Sequence, residues 1–263
     1  MKKNIFSKAD ILRGLQLKQF EVYYQPIIDK KIGTIICGEA LIRWNHPKLG
    51  LLHPDIFIPI AESNGAILAL GDFVLLEACE QSKIWSNAGH SFYKVTVNLS
   101  FAQILEKDFV KNTISIITAS GIDPHNLELE ITETMAMIDQ KDMIAKLQKL
   151  GVRIILDDFG TGYSSLSHLK YLPFNGLKID RRFIKQSLES TRDSKLMHSI
   201  ILLAQSIDLH IVAEGVETKE QLDMLEKMNC HTVQGFYFTH PLPSKEYSEW
   251  CTYFLRTPEL QVY

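Results

Sequence analysis

Five acidic side chains in this sequence stand in or directly after runs of apolar residues, where a folded chain would otherwise bury hydrocarbon. They are Glu39, Glu130, Asp157, Asp158 and Glu214. Carboxylates gathered within ~6 Å would repel one another by about 3 kcal/mol per pair at an effective dielectric constant near 20. Such a cluster must either keep protons at neutral pH or hold divalent cations. Because adjacent aspartates can serve two ions, one of them bridging, the residues predict a metal site that cuts a phosphate ester.

The types of donor atom in this set favour Mg²⁺ or Mn²⁺. Asn98 ends another apolar run and would add an amide oxygen to the carboxylates. Zinc usually takes His or Cys ligands, and the sequence has no H-E-x-x-H pattern. Each residue also has a structural explanation: an aspartate of the 157–158 pair could cap a helix beginning near Thr161, and Lys178 could simply pair with Glu214. All of these explanations would have to hold independently at six strand ends, so the pattern favours one shared site.

The elements that must position these side chains are short strands alternating with amphipathic helices. The predicted strands are Glu21–Ile28, Thr34–Ile42, Lys94–Asn98, Leu127–Ile131, Val152–Asp157, Gly176–Ile179, His210–Ala213 and Thr232–Phe236. The helical patterns cover Phe101–Ala119, Asp139–Leu150, Arg182–Ile207 and Glu217–Met228. About eight strand–helix units in ~250 residues predict an α/β fold of the TIM-like (β/α)8 type, in which the carboxyl ends of the strands converge on one face.

The first two strands depart from the regular barrel pattern. Only the segment Asp29–Gly33 joins them, which is the length of a hairpin and too short for a crossover helix. The sequence therefore predicts a barrel variant with an antiparallel first strand. An open doubly wound sheet is the alternative, but no glycine-rich phosphate loop follows the first strand.

Composition limits the class of protein. The chain has 263 residues, of which 46% are hydrophobic and 22% charged, and its net charge of −3 argues against binding long nucleic acids. No apolar stretch is long enough to span a membrane, and no signal peptide is expected within Met1–Leu12. The scattered cysteines indicate reduced thiols and a cytoplasmic location. Without a linker-like segment, residues 1–263 are expected to form a single domain with a motif-bearing core at about 20–243.

Several motifs together resemble the EAL-domain family of bacterial cyclic-di-GMP phosphodiesterases. The namesake motif is Glu39-Ala40-Leu41, within the run Gly38–Trp44 and preceded by Tyr24-Gln25-Pro26-Ile27. The remaining motifs follow in order as Asn98-Leu99-Ser100, Glu130-Ile131-Thr132-Glu133, Asp157-Asp158-Phe159-Gly160-Thr161-Gly162, Leu177-Lys178-Ile179-Asp180, Glu214-Gly215-Val216-Glu217 and Gln234-Gly235-Phe236. The resemblance runs from about Phe20 to Pro243.

The resemblance implies a TIM-like barrel that hydrolyses cyclic di-GMP to linear pGpG with two Mg²⁺ or Mn²⁺ ions. By position, the implied metal ligands are Glu39, Asn98, Glu130, Asp157, Asp158 and Glu214, with Glu214 divided between ligand and general base. The implied catalytic residues are Lys178, Glu214 and Glu133, the last bracing the loop that runs from Asp157 to Leu166. The implied substrate contacts are Gln25, Leu41, Arg43, Asp180 and Gln234.

Two other functions stay open on the sequence. One is a catalytically silent EAL module that senses the nucleotide or docks a protein partner. The other, argued without the family, is a Mg²⁺-dependent barrel of the enolase type that acts on carbon acids. The resemblance also implies a homodimer formed through helices near the Asp157 loop, and a regulatory domain that could lie outside this chain.

Overall fold

The computed structural model describes residues 6–136, 141–160 and 173–257. Its strands are β1 (Phe20–Asp29), β2 (Thr34–His46), β3 (Gly50–Leu52), β4 (Val95–Asn98), β5 (Leu127–Thr132), β6 (Arg153–Phe159), β7 (Gly176–Ile179), β8 (His210–Ala213), β9 (Thr232–Val233) and β10 (Leu242–Pro243). Its α-helices are α1 (Lys8–Gln16), α2 (Pro54–Asn64), α3 (Ile67–Asn87), α4 (Phe101–Ile104), α5 (Phe109–Ser120), α6 (Glu133–Ala136), α7 (Lys141–Lys149), α8 (Arg181–Glu189), α9 (Thr191–Ser206), α10 (Lys219–Lys227) and α11 (Ser244–Arg256). None of the helices in these ranges combines the length and apolarity that crossing a bilayer requires.

Eight of the described strands close into a barrel. Around it they run in the order β1, β2, β4, β5, β6, β7, β8, β9, and β9 pairs back to β1. Strand β1 is antiparallel to both of its barrel neighbours, whereas the pairings from β2 and β4 through to β8 and β9 are parallel. Strands β3 and β10 add antiparallel pairs to β2 and β1. The predicted α/β barrel variant with an antiparallel first strand is therefore confirmed.

A tight turn between β1 and β2 explains the antiparallel start. The Oδ1 atom of Asp29 accepts a hydrogen bond from the backbone nitrogen of Lys31 at 2.8 Å, and Gly33 takes a φ of 63°. Glycine adopts such a left-handed backbone without steric cost, so the chain reverses within a few residues. The two strands then pair along most of their length, with Gln25 opposite Glu39.

The apolar core fills the space between the barrel and its helices. It includes fully buried side chains from both layers, such as Trp44 on β2, Phe57 on α2 and Leu129 on β5. A separate small cluster of Ile27, Cys37 and Val212 comes from three barrel strands. Because side chains alternate along a strand, Cys37 shares its face with Glu39, so the same faces that carry this cluster carry charged groups one pleat further on.

The predicted helices Phe101–Ala119 and Arg182–Ile207 are wrong as single helices. The first is α4 and α5 with a break between them, and the second is α8 and α9. Ser190 divides the second pair because its extended backbone ends α8, while its side chain accepts a hydrogen bond from the Asp193 nitrogen at 3.2 Å and begins α9. Serine favours such N-cap positions over helix interiors. The predicted helices also did not include α1, α2, α6 or α11.

Candidate metal centre

Polar side chains from seven barrel strands or strand ends meet at the carboxyl end of the barrel. Glu39 lies near the middle of the 13-residue strand β2, and the other six lie in the carboxyl-terminal half of their strands or just beyond them: Asn98, Glu130, Asp157, Lys178, Glu214 and Gln234. In TIM-like barrels this face carries the active site. The structure therefore brings together the predicted cluster, while the role of each residue remains a prediction.

Lys178 is the positive centre of the cluster, and its side chain is 1% exposed. Its Nζ atom lies 2.5 Å from Glu214 Oε1, 2.8 Å from Glu130 Oε1 and 3.3 Å from Glu39 Oε2. Thr96 also donates a hydrogen bond to Glu130 Oε1 at 2.8 Å. Both donors therefore use one oxygen of Glu130, whose Oε2 is buried without a partner among the described residues.

Glu39 receives the largest number of neutral donors in the cluster. Asn98 Nδ2 donates to its Oε1 at 2.6 Å, and Gln234 Nε2 donates to its Oε2 at 2.5 Å. Gln234 Nε2 also lies 3.1 Å from Gln25 Oε1, and Gln25 Nε2 donates to the Thr239 carbonyl at 3.1 Å. This chain of amides across β1, β2 and the end of β9 holds Glu39 in place.

Burial raises the pKa of most of these carboxyl groups, because the low dielectric disfavours the charged form. Burial together with the charges of Glu39 and Asp157 lifts the pKa of Glu130 well above its usual value, despite Lys178. It raises the pKa of Asp157 to about 6 and that of Glu214 to about 8, again against the effect of Lys178.

Glu39 and Lys178 behave differently from the other members of the cluster. Burial raises the pKa of Glu39, but Lys178 and the donors Gln234 and Asn98 outweigh it, so the pKa falls below its usual value. Burial lowers the pKa of Lys178, yet the surrounding carboxylates, Glu130 first, raise it well above its usual value. In the absence of a cation, burial therefore favours the protonated forms of Glu130 and Glu214, whereas Lys178 favours the ionised form of Glu39.

Asp157 and Asp158 both reach the site because the end of β6 is irregular. The pairing of β6 with β7 shifts register between Leu156 and Phe159, and Asp158 has a φ of 56°. A bulge of this kind re-aims side chains that would otherwise point to opposite faces of the sheet. Asp157, Asp158 and Glu214 each offer an oxygen within 4.8 Å of the others.

These residues fit a hard divalent cation. The donor set consists of carboxylate and amide oxygens, which suit Mg²⁺ or Mn²⁺. Buried polar atoms are normally hydrogen-bonded, but Oε2 of Glu130 and Oε1 of Gln234 have no partner among the described residues, so both are available to a further group bound at this site. Burial, and after it the charges of neighbouring carboxylates, raises the pKa of Asp157 and of Glu214, and a bound cation would favour the ionised form of both.

The five predicted substrate contacts line one open cleft of about 420 Å³ above the cluster, and they are Gln25, Leu41, Arg43, Asp180 and Gln234. The Arg43 guanidinium lies 5.4 Å from the ring centre of Tyr23, and its NH1 donates to the Ile42 carbonyl at 2.9 Å. Asp180 also has a structural part: its Oδ1 accepts from the backbone nitrogen of Arg182 at 2.9 Å and so caps α8. Whether these side chains contact a substrate stays a prediction.

Glu133 begins α6 directly after β5, and its side chain is buried. Its Oε2 has no hydrogen-bond partner among the described residues. The predicted brace to the loop ending at Leu166 falls partly on residues 161–172, which lie outside the described ranges. The alternative in which an aspartate caps a helix near Thr161 lies there too.

The residues predicted for the site from the sequence do not include Thr96, Gly215 or Arg181. Thr96 lies two residues before Asn98 on the same face of β4, a spacing that could have revealed it. Gly215 and Arg181 line the cleft beside predicted residues. Each directly follows a predicted site residue, Glu214 or Asp180, and this could have indicated them. The contact between Gly215 and Arg181 depends on the fold.

Known proteins are similar in sequence to this chain. Among curated relatives, the bifunctional diguanylate cyclase/cyclic di-GMP phosphodiesterase MucR of Pseudomonas aeruginosa is 40% identical over 240 residues, covering 90% of this chain and 35% of MucR. The cyclic di-GMP phosphodiesterase NbdA of the same species is 42% identical over 239 residues, covering 90% of this chain and 30% of NbdA. The chain thus spans about a third of the length of the curated relatives it matches.

Solved structures match over nearly the whole fold. The PaMucR phosphodiesterase in a c-di-GMP complex superposes with a TM-score of 0.87 at 39% identity, covering 91% of this chain and 98% of that one. The EAL enzyme Bd1971, in a form with cAMP and cyclic-di-GMP bound, has a TM-score of 0.86 at 32% identity, covering 93% and 68%. The family model of the EAL domain matches residues 8–241. The chain therefore belongs to the EAL domain family.

Proposed function

We propose that this chain is a phosphodiesterase that hydrolyses cyclic di-GMP to linear pGpG with the help of two divalent cations. The observation that carries the proposal is the buried cluster in which Lys178 is shared among Glu39, Glu130 and Glu214 beneath an open cleft. The similarity to MucR and NbdA, which are named cyclic di-GMP phosphodiesterases, supplies the substrate.

The ligands proposed for the cations are Glu39, Asn98, Glu130, Asp157, Asp158 and Glu214. Bound Mg²⁺ or Mn²⁺ would neutralise this negative charge, acidify an attacking water and stabilise charge on the phosphoryl oxygens. The closely spaced oxygens of Asp157, Asp158 and Glu214 support a second ion beside the one proposed for Glu39, Asn98 and Glu130.

Lys178 has the properties required of a group that opposes developing negative charge. The surrounding carboxylates keep its pKa high, so it stays an ammonium ion at neutral pH. An ammonium is a compact point charge that can also donate hydrogen bonds to the attacking water. Glu214, whose side chain is 20% exposed and which lines the cleft, would accept the proton of that water.

Arg43 would hold a phosphate of the substrate. Arg43 is one of the residues that line the cleft, and a guanidinium can form two parallel hydrogen bonds to phosphate oxygens. The Tyr23 ring beneath it limits the conformations that the side chain can take. Gln25 and Gln234 complete the floor of the cleft through their mutual hydrogen bond.

A catalytically silent module that only binds the nucleotide is the second candidate within the family. It is less well supported, because the chain keeps each predicted metal ligand and Lys178. The enolase-type alternative also requires carboxylates and a lysine, but it gives no role to the adjacent aspartates or to Arg43 on the cleft. A homodimer, a cytoplasmic location and a regulatory domain outside this chain remain proposals. The larger size of the relatives supports the last of these.

Product analysis tests the proposal directly. The purified protein is incubated with cyclic di-GMP and Mg²⁺ or Mn²⁺, with and without a chelator, and the nucleotides are separated by chromatography. We expect pGpG only when the metal is present. Binding of cyclic di-GMP without cleavage under any metal condition would contradict the proposal and favour the silent module.

A further inference from the structure

A second arginine lies on the cleft opposite Arg43. Arg181 is the first residue of α8 and follows Asp180 at the end of β7, and it is one of the residues that line the same cleft. Arg43 projects from β2. Around the barrel of eight strands, β2 and β7 are four positions apart, so they lie on opposite sides of its mouth.

The backbone of Gly215 makes room for the Arg181 side chain. A Cβ atom at Gly215 would lie 2.3 Å from Arg181 Cβ and 3.4 Å from its Cδ, and Gly215 has a φ of 63°. Any other residue at position 215 would be strained, because its Cβ atom would clash with Arg181 and because its backbone would be left-handed. The aliphatic part of the Arg181 side chain therefore lies against Gly215, next to Glu214 in the sequence, while Arg181 as a whole is exposed.

The guanidinium of Arg181 forms no ion pair within the described part of the chain, whereas the neighbouring Arg182 holds Asp180 through its Nε at 2.8 Å. Lys178 is committed to the carboxylate cluster. An exposed cation that lines the cleft and has no ion-pair partner among the described residues is suited to an anionic group of a ligand.

We propose that Arg181 binds the second, non-scissile phosphodiester of a cyclic dinucleotide and so selects substrates that carry two phosphates. The inference rests on the proposed function, because it takes the substrate class from it. A cyclic dinucleotide has two phosphodiester groups on opposite sides of one ring. Arginines on opposite sides of the mouth would give one guanidinium to each of them, and both can pair with phosphate through two parallel hydrogen bonds.

The test compares Arg181→Met with Lys185→Met, which removes the same charge from an exposed position further along α8. Steady-state kinetics are measured with Mn²⁺ on cyclic di-GMP and on bis(p-nitrophenyl) phosphate, which has a single phosphodiester. Since a charge-assisted contact made equally in ground and transition states affects binding, Arg181→Met should raise KM for cyclic di-GMP about tenfold and change kcat by less than about twofold. Cleavage of bis(p-nitrophenyl) phosphate should be unchanged, and Arg181→Lys should recover part of the loss.

Three results would overturn the inference: an unchanged KM in Arg181→Met, an equal rise in Lys185→Met, or an equal loss on the substrate with one phosphate. A further arm uses cyclic di-AMP, because an arginine can also bind guanine through its O6 and N7 atoms. Binding of the second phosphate predicts the same relative loss on both cyclic dinucleotides, and a loss confined to cyclic di-GMP would contradict it.

Failure of the proposed function is distinguishable from failure of this inference. If the wild-type protein binds cyclic di-GMP without cutting it, the phosphodiesterase proposal fails. The Kd of the metal-loaded protein then replaces KM, and Arg181→Met should still weaken binding about tenfold relative to Lys185→Met. An unchanged Kd would overturn the role of Arg181.

Discussion

At the amino end of the barrel interior, the buried Glu128 pairs with Arg153 across neighbouring strands, with 3.3 Å between Oε1 and NH1. At the carboxyl end, Lys178 is the one cation among residues 6–136, 141–160 and 173–257 that forms ion pairs with the carboxylates of Glu39, Glu130 and Glu214. The first end balances one negative charge with one positive charge. The second has an excess of negative charge that the described side chains do not compensate.

The comparison distinguishes the Glu128–Arg153 ion pair, which supports the fold, from the Lys178 cluster, whose carboxylates require a bound cation. A buried ion pair contributes little net stability, but it prevents the cost of leaving either partner alone. A cluster with several carboxylates for each cation is unfavourable until another cation binds. The Glu128–Arg153 pair is thus complete as folded, whereas the Lys178 cluster has the composition of a binding site.

Replacing Lys178 should produce the largest functional effect. Lys178→Met is expected to lower kcat for cyclic di-GMP by about 10²- to 10³-fold, because the group that opposes developing charge is lost. Affinity for Mn²⁺, measured by titration with electron paramagnetic resonance, should not fall, because a competing positive charge has been removed. The matched variant Arg153→Met at the other end should keep kcat within about twofold in the fraction that remains folded. A comparable loss of kcat in Lys178→Met and Arg153→Met would contradict the distinction between a catalytic cluster at the carboxyl end and a structural ion pair at the amino end.

Replacing Arg153 should instead affect stability. Arg153→Met leaves the Glu128 carboxyl group buried without its partner, which should lower the free energy of unfolding by about 2 kcal/mol; this is below the range for fully buried pairs because the Arg153 side chain is 33% exposed. Urea denaturation measures the change. The double variant Glu128→Gln/Arg153→Met should recover part of the stability, since no charge is then left unpaired. Failure of the double variant to recover any of it would show that packing of the Arg153 stem, not charge, is responsible.

The thermal stability of the metal-free protein should depend on pH because of the uncompensated carboxyl groups, and this effect should be smaller than those of the Lys178 and Arg153 replacements. The pKa of Glu214 is raised to about 8 and that of Asp157 to about 6, from ordinary values of 4.5 and 3.8. The folded state therefore binds protons more tightly than the unfolded state, so this stabilisation is complete below the ordinary values and is lost as pH rises toward 8. The Tm of the metal-free protein should fall between pH 6 and pH 8 relative to Glu214→Gln.

Two controls sharpen the pH experiment. Burial also raises the pKa of Glu128, but Arg153 opposes that shift, so Glu128→Gln should remove less of the slope than Glu214→Gln. Adding Mn²⁺ should reduce or reverse the slope, because the metal binds deprotonated ligands. A slope that is identical in all the variants and unaffected by Mn²⁺ would show that the cluster is not its source.

Much of the fold could be predicted because the signals were local. Alternating short apolar runs and helical patterns gave the strands of the barrel, and the five residues Asp29–Gly33 required an antiparallel turn. The division of the predicted helix Arg182–Ile207 at Ser190 was missed because the helical pattern continues across it. The local signal was present, since Ser190 followed by Asp193 has the spacing of a helix N-cap and its side chain caps α9.

By itself, the sequence determined which residues would meet at the mouth of the barrel, since polar residues at the carboxyl ends of parallel strands must converge there. It also determined the family, through the order of the motifs. The tertiary structure decided how they meet. Only the irregular end of β6 lets both Asp157 and Asp158 reach the site, because neighbours on a regular strand point to opposite faces. The sharing of Lys178 and the passage of Arg181 over Gly215 likewise depend on distances between segments far apart in the chain, which residue type and local spacing do not specify.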